Sequence, residues 1–318
     1  MLSPTVYQGA SVLQHLGVIR ARGADAASFL QGQLTNDVIT LGPERARLAG
    51  FCSAKGRLQA SFWVVRPMPD ELLLICSADL LAPTLKRLSM FVLRAKCKLD
   101  DASAELPLLG VVGSADGTGL VTSLLPSSGA PWHVQDTAHG RTIRLPDAAG
   151  QARWLVIGAP ESASLALPAL PLDTWRWLDV QAGVPLIQSA TVDQFVPQML
   201  NYEILGGVDF KKGCYPGQEV VARSQYRGTI KRRMFLFDTS GDTTPGAELF
   251  DARDAAQPAG MVVNAAPNPE GGCSVLAEVK LAMLSDGAPQ LHLGSAAGPA
   301  LTLRELPYVV PHEAVEVP

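Results

Sequence analysis

Residues 211–223 read KKGCYPGQEVVAR, and they place a cysteine between two lysines and a Pro-Gly turn in a 318-residue chain that has only five cysteines. Gly217 ends the turn, and GQEVVARSQYRG (217–228) reads as one helix. Glu219 falls in its first turn, where a carboxylate suits the helix dipole, and Arg223 follows at i+4 for an ion pair. Cys214 then lies just ahead of the helix N-terminus, with Lys211 and Lys212 close in sequence, a setting that stabilises an anion. Two readings fit these residues. One is a reactive or ligating thiol; the other is a small side chain buried at a tight strand-to-helix junction.

The charge around this stretch is concentrated. Lys211, Lys212, Arg223, Arg227, Lys231, Arg232 and Arg233 face one acid, Glu219, on a chain whose net charge is −4. Such a segment on an acidic body points to an anionic ligand or partner at one place, or to a solvated basic helix face, rather than to general nucleic-acid affinity. With 47% apolar and 18% charged residues the chain is globular in composition and long enough for two or three domains. It contains no apolar run of about 18 residues and no secretory start, and Arg20 and Arg22 alone do not make a transit peptide, so the cytoplasm is the expected location. Cys52, Cys76, Cys97, Cys214 and Cys273 are odd in number and form no CxxC pair, which favours reduced thiols. The five histidines show no HxxxH or HExxH spacing, so no metal site is expected.

Outward from the motif, SFWVVRP (61–67) and ELLLICS (71–77) predict a hairpin through a proline-rich turn. Leu81, Leu85, Leu88 and Val92 then form a helical stripe, with Lys86, Arg87 and Arg94 off it, predicting a helix packed over that hairpin. KCKLD (96–100), LLGVVG (108–113), RTIRL (141–145) and RWLVIG (153–158) read as strands around a Gly/Ser/Pro-rich connection at 114–132. TWRWLDVQA (174–182) is a short helix, and residues 184–216 have little periodicity, as functional loops often do. After Arg233 short strand-like runs, MFLFD, GMVVN, CSVLAEVKLAML and ALTLREL, suggest a closed or sandwiched β domain. The class is α+β, with one module over 1–230 and a β-barrel domain over 231–318.

Beyond these patterns, KGCYPGQEVVAR followed by YRG and KRR resembles the signature of the YgfZ family of folate-binding, iron-sulfur-linked proteins, relatives of the folate-dependent aminomethyltransferase (T-protein) of glycine cleavage. FLQGQLTND (29–37), CSAKGR (52–57), QAGVP (181–185) and FVPQMLNYEILGGVDFKKGC (195–214) occur in the family's order, so the resemblance covers most of residues 20–235. It implies an aminomethyltransferase-like fold, with two α+β subdomains and a C-terminal β-barrel around a central channel that holds tetrahydrofolate or a derivative. It also implies a role in the synthesis or repair of iron-sulfur enzymes, tRNA-modifying ones included, with those enzymes or their assembly proteins as partners. No membrane partner and no direct nucleic-acid contact are expected. Lys212 and Cys214 take the motif's distinctive positions.

The chain also departs from the T-protein pattern. The two acids of the T-protein KGG-x-x-DD segment correspond to Ala60 and Ser61 here, and neither can replace a carboxylate that moves a proton, a role worth roughly 10² to 10⁴ in rate. Aminomethyl transfer is therefore not expected, although a folate-dependent one-carbon transferase is the alternative reading. The pterin-recognising acid of the E-A-G segment is Gln181, which offers one donor and one acceptor, or caps its helix. A folate-contacting tryptophan of some members corresponds to Leu16, whereas Trp175 aligns with the second one and could stack on the ligand or pack in the core. Arg57 is expected to face the channel, Gln198 and Asn201 to meet neutral heteroatoms, and Arg223 and Arg227 to bind the carboxylates of a glutamyl tail.

Overall fold

A computed structural model describes residues 6–114, 125, 129–158, 167–226, 230–285 and 290–311. The chain forms two compact units, each assembled from separated segments. The first contains Met1–Phe29, Val38–Arg47 and Trp63–Leu178, the second Leu30–Asp37, Leu48–Phe62 and Asp179–Pro318.

The first unit is built on two antiparallel sheets. In one, β1 (Gly9–Val12) pairs with β7 (Leu108–Ser114), β7 with β10 (Gln151–Ile157), β10 with β9 (Gly140–Ala148) and β9 with β8 (Val134–Thr137). In the other, β5 (Glu71–Ser77) lies between β2 (Leu16–Arg22) and the later half of β4 (Leu58–Met68), and β6 (Lys98–Asp101) flanks β2. The β4–β5 hairpin turns where the Pro-Met-Pro-Asp sequence predicts it. Helix α2 (Ala78–Val92) packs against β2, β5 and β6. Its buried residues are Leu80, Leu81, Thr84 and Leu88, while Lys86 and Arg87 are exposed. The later part of the predicted stripe, Leu85 and Val92, is half-buried.

Trp154 on β10 and Trp175 on the helix α3 (Leu172–Gln181) are buried in this unit. Each carries a guanidinium over its ring, Arg144 at 5.2 Å and Arg153 at 5.1 Å. Gly110 on β7 makes room for Trp175, since a Cβ there would stand 2.5 Å from Cε3.

In the second unit β3 (Ala46–Cys52) returns into the early half of β4 through a tight turn at 53–57, where Ser53 and Arg57 exchange a backbone bond of 2.9 Å. The C-terminal half is one six-stranded antiparallel sheet in the order β15 (Leu291–Leu293), β12 (Glu248–Asp251), β13 (Asp254–Pro267), β14 (Cys273–Lys280), β11 (Arg232–Thr239) and β16 (Leu301–Arg304). The sheet curls into a half-barrel around Phe235, Phe237, Val262, Val275, Ala277 and Val279. Its two edge strands meet at an isolated bridge, His292–Ala300. The expected C-terminal β domain is present as this curled half-barrel sheet. Strands β1, β2, β3, β8, β12 and β15 had no sequence reading. Among the described residues no helix is long and apolar enough to cross a membrane.

The tight Gly110–Trp175 contact gives a direct test of the first unit's packing. Gly110→Ala overpacks the indole and is expected to lower stability by about 1–3 kcal/mol, read as a lower urea midpoint with unchanged slope.

Candidate functional site

Between α3 and the helix α4 (Gln218–Tyr226) the second unit contains a long segment whose only helical pieces are short 3-10 turns at Ser189–Thr191 and Pro197–Leu200. Much of it is buried, so its backbone polar groups need partners that secondary structure does not supply. Side chains supply them. Thr35 Oγ1 donates to Gly207 O at 2.6 Å and accepts from Gly50 N at 2.7 Å; Asn36 Nδ2 donates to Leu48 O and Gly206 O, both at 2.7 Å. Ser61 Oγ accepts from Ile187 N at 2.9 Å, and Asn264 bonds both polar groups of the Leu186 backbone. The FLQGQLTND stretch therefore acts as a strap that fixes the turn leading into KKGC.

Lys212 completes the strap. Its ammonium donates to the carbonyls of Gln31 and, at 2.7 Å, Leu34, and it lies 4.9 Å from the centre of the Tyr215 ring. Burial lowers this ammonium to about 8, against the opposing pull of Asp37, Asp209 and Cys214. It makes no hydrogen bond to the Cys214 sulfur. Its hydrogen bonds go to the strap, while its charge still interacts electrostatically with Cys214.

The hairpin turn of CSAKGR closes on the other flank of the motif. Gly217, at φ +78°, sits so near it that a Cβ would come within 2.4 Å of Ser53 O and 2.6 Å of Gly56 Cα. A Cβ on Gly56 would stand 2.8 Å from Val220 Cβ. Two facing glycines thus let the turn touch the first residues of α4, and the motifs that are separate in sequence meet around residues 212–220.

Cys214 projects from this anchored segment and is exposed. Cys52, Cys76 and Cys273 are buried and Cys97 is half-buried. Burial pushes the Cys52 and Cys76 thiols up to about 12, and it also raises Cys97 and Cys273. The reading of Cys214 as a buried filler is excluded by this exposure. Beyond it, Glu219 and Arg223 are both exposed and form no ion pair with each other, and the Arg223 guanidinium has no partner among the described residues.

The basic segment is less open than its sequence suggests. Arg232 is bidentate to Glu278 and Arg233 is buried against Glu203 and Gln198 O. Together with Lys212, these account for three of its seven charges. Lys211, Arg223 and Lys231 remain exposed, and Arg227 lies outside the described residues.

The other predicted residues divide by environment. Gln181 is half-buried and its amide has no hydrogen-bond partner. Gln198 and Asn201 are 1% and 0% exposed, their amide nitrogens donating at 2.8 Å to Val221 O and Met234 O. Each leaves its side-chain oxygen, Oε1 or Oδ1, buried without a donor. Trp175 is fully buried, with Nε1 unpartnered; its indole is occupied by internal packing and presents no open face. Arg57 Nη1 donates to Asp193 O at 3.3 Å and to Gln194 O. Ala60 and Ser61 are both buried. Sequence reasoning missed Thr35 and Asn36, and the only signal for them was their place inside a motif.

No protein-family model matches the chain. Its fold is that of an aminomethyltransferase: the structure superposes on the crystal structure of glycine cleavage system aminomethyltransferase T from Bartonella henselae with a TM-score of 0.74 over 96% of this chain and 87% of that one, at 17% identity. Sequence comparison narrows the class. The chain is 34% identical over 305 residues to the tRNA-modifying protein YgfZ of Edwardsiella ictaluri, spanning 91% of this chain and 89% of the relative. It is 32% identical to the Sodalis glossinidius protein of that name and 30% to that of Colwellia psychrerythraea, each spanning 94% of this chain and 92% of the relative. The chain belongs to the YgfZ family.

Two measurements check this geometry. Iodoacetamide under native conditions is expected to label Cys214 first and leave Cys52, Cys76 and Cys273 unmodified, as read by peptide mass spectrometry. The second concerns Lys212, whose folded-state value of about 8 lies below the unfolded value of about 10.4. Between those limits the unfolded chain binds more protons, so this residue makes stability rise with pH across that window. Comparing urea denaturation of wild type and Lys212→Met from pH 7 to 10.5 should show that rising component in wild type alone.

Proposed function

We propose that this protein is an accessory to iron-sulfur enzymes, tRNA-modifying ones among them, that it works in the cytoplasm, and that it acts through Cys214 with a bound tetrahydrofolate-type ligand. The observation that carries the reading is the exposed Cys214 on a segment that Lys212, Thr35, Asn36 and the Gly56–Gly217 contact hold in place. A thiol presented this way is a sulfur ligand or nucleophile for a partner rather than a packing element. One sulfur does not hold a cluster, which takes about four ligands, so any iron would be shared with the partner that supplies the others.

The residues fit a folate in their chemistry. Gln181 has a free amide that can meet a pterin edge with one donor and one acceptor. The orphan oxygens of Gln198 and Asn201 are acceptors that a donor-bearing ligand or a buried water would satisfy. Arg223 is a free guanidinium suited to a glutamyl carboxylate. When bound, the folate would supply a one-carbon carrier. Gln181 would orient it, and Cys214 would face the partner. Ser61 is a hydroxyl that accepts from Ile187 N and Ala60 is a methyl group, so neither supplies the carboxylate that exchanges a proton in aminomethyl transfer.

Cys214→Ser and Cys214→Ala, introduced in place of the wild-type gene, are expected to lower iron-sulfur enzyme activity to the level of a strain lacking the protein. The purified variants should bind tetrahydrofolate as wild type does. Full complementation by both variants would remove the role of the thiol, and loss of folate binding in both would put Cys214 in the ligand site instead.

A further inference from the structure

A cleft of about 340 Å³ opens in the second unit between Arg57 with the 3-10 turn at Pro197–Leu200 on one side and the curled sheet on the other. Its apolar surface comes from Phe195, Met199, Pro258 and Met261. Across the sheet, Glu248 on β12 is the register partner of Met261 on β13, and Met261 is that of Glu278 on β14. The two carboxylates therefore stand two strand spacings apart, about 10 Å, with the methionine between them.

The charges lining this cleft are not equally satisfied. Glu278 is neutralised by Arg232, which grips it through Nε and Nη2. Glu248 is exposed and has no cation partner among the described residues. Arg57 has no carboxylate partner either. Its Nη1 is spent on the carbonyls of Asp193 and Gln194, which fixes the guanidinium plane and leaves the Nε–Nη2 edge without an acceptor. In this protein that same edge holds carboxylates elsewhere: Arg141 binds Asp136 through Nε and Nη2, both at 2.8 Å. A pre-oriented cation and an anion without a cation partner thus border one cleft of mixed polar and apolar lining, with the intervening ion pair closed on itself.

We propose that this cleft binds a small zwitterion with an apolar body, an apolar amino acid or dipeptide, its carboxylate on the Nε–Nη2 edge of Arg57 and its ammonium toward Glu248. A fixed guanidinium favours a planar carboxylate through paired charge-assisted bonds. Methionine side chains adapt to apolar groups of varied shape, so the cleft selects for the two opposite charges and tolerates change in the apolar body. The size is that of a small-molecule pocket. The inference does not depend on the thiol reading, since none of its contacts involves Cys214; Arg57, expected from the sequence to face a folate channel, is here given a different ligand.

The test is calorimetric titration of the full-length protein with L-methionine and with the dipeptide Met-Met, alongside the dipeptide's C-terminal amide, its N-acetyl form and p-aminobenzoylglutamate. A zwitterion is expected to bind, with blocking of the carboxylate and Arg57→Gln each weakening it about tenfold or more. Acetylation and Glu248→Gln should each weaken it severalfold. Thermal melts of both variants separate lost binding from lost folding, and the exposed Glu248 gives a variant in which folding is not at risk. Absence of zwitterion binding at 10 mM, binding indifferent to both substitutions, or preference for the dianionic p-aminobenzoylglutamate would each overturn the proposal; the last would make the cleft part of a folate site.

Discussion

The constraint on which the second unit depends is the need to satisfy the backbone of a buried segment that is neither helix nor strand. Each unpaired buried amide or carbonyl costs about 1–3 kcal/mol, and the segment from Ala182 to the start of α4 has many. Thr35, Asn36, Ser61 and Asn264 meet that need with short polar side chains whose donors and acceptors reach specific main-chain atoms. Ordering of KKGC follows from this. The strap at 31–36 holds Gly206, Gly207 and Lys212, and Cys214 is carried at the end of a loop with little freedom left.

Lys212 shows how the same constraint divides roles within the motif. A lysine beside a cysteine invites an electrostatic reading in which its charge stabilises a thiolate. Here the ammonium is turned to the carbonyls of Gln31 and Leu34, and its desolvation brings it to about 8. It is a positioning residue for the loop. Its charge also interacts electrostatically with Cys214, and Lys211 beside it is exposed.

Much of the fold was legible because local pattern and tertiary environment agree. The hairpin of β4 and β5, helix α2, helix α4 and strands β7, β9, β10, β11, β13 and β14 all follow from periodicity and turn residues. Strands β2 and β3 were not, since both are almost wholly buried and lack the alternation that marks a half-exposed strand. In the candidate site, Cys214 and the glycine preceding α4 could be read from local chemistry. Thr35 and Asn36 could not, because the bonds that reach the loop, to Gly207 and Gly206, span more than 150 residues of sequence and nothing nearby signals the need for them. Trp175 was open to two readings, stacking on a ligand or packing in the core; its indole is buried against Gly110 with Arg153 over the ring.

The interleaving of the two units bears on how the chain is made. The polypeptide passes from one unit to the other five times, so neither unit corresponds to a contiguous stretch that could be expressed alone. The strap and the β3–β4 turn emerge from the ribosome more than a hundred residues before the segment they hold. At typical elongation rates that delay is on the order of ten seconds, during which Thr35 and Asn36 have no long-range partners and the hydrophobic strand β3 has no core. Nascent chains of this topology should accordingly rely on chaperone shielding during synthesis, and contacts of such long range favour slow closure once the final strands are released.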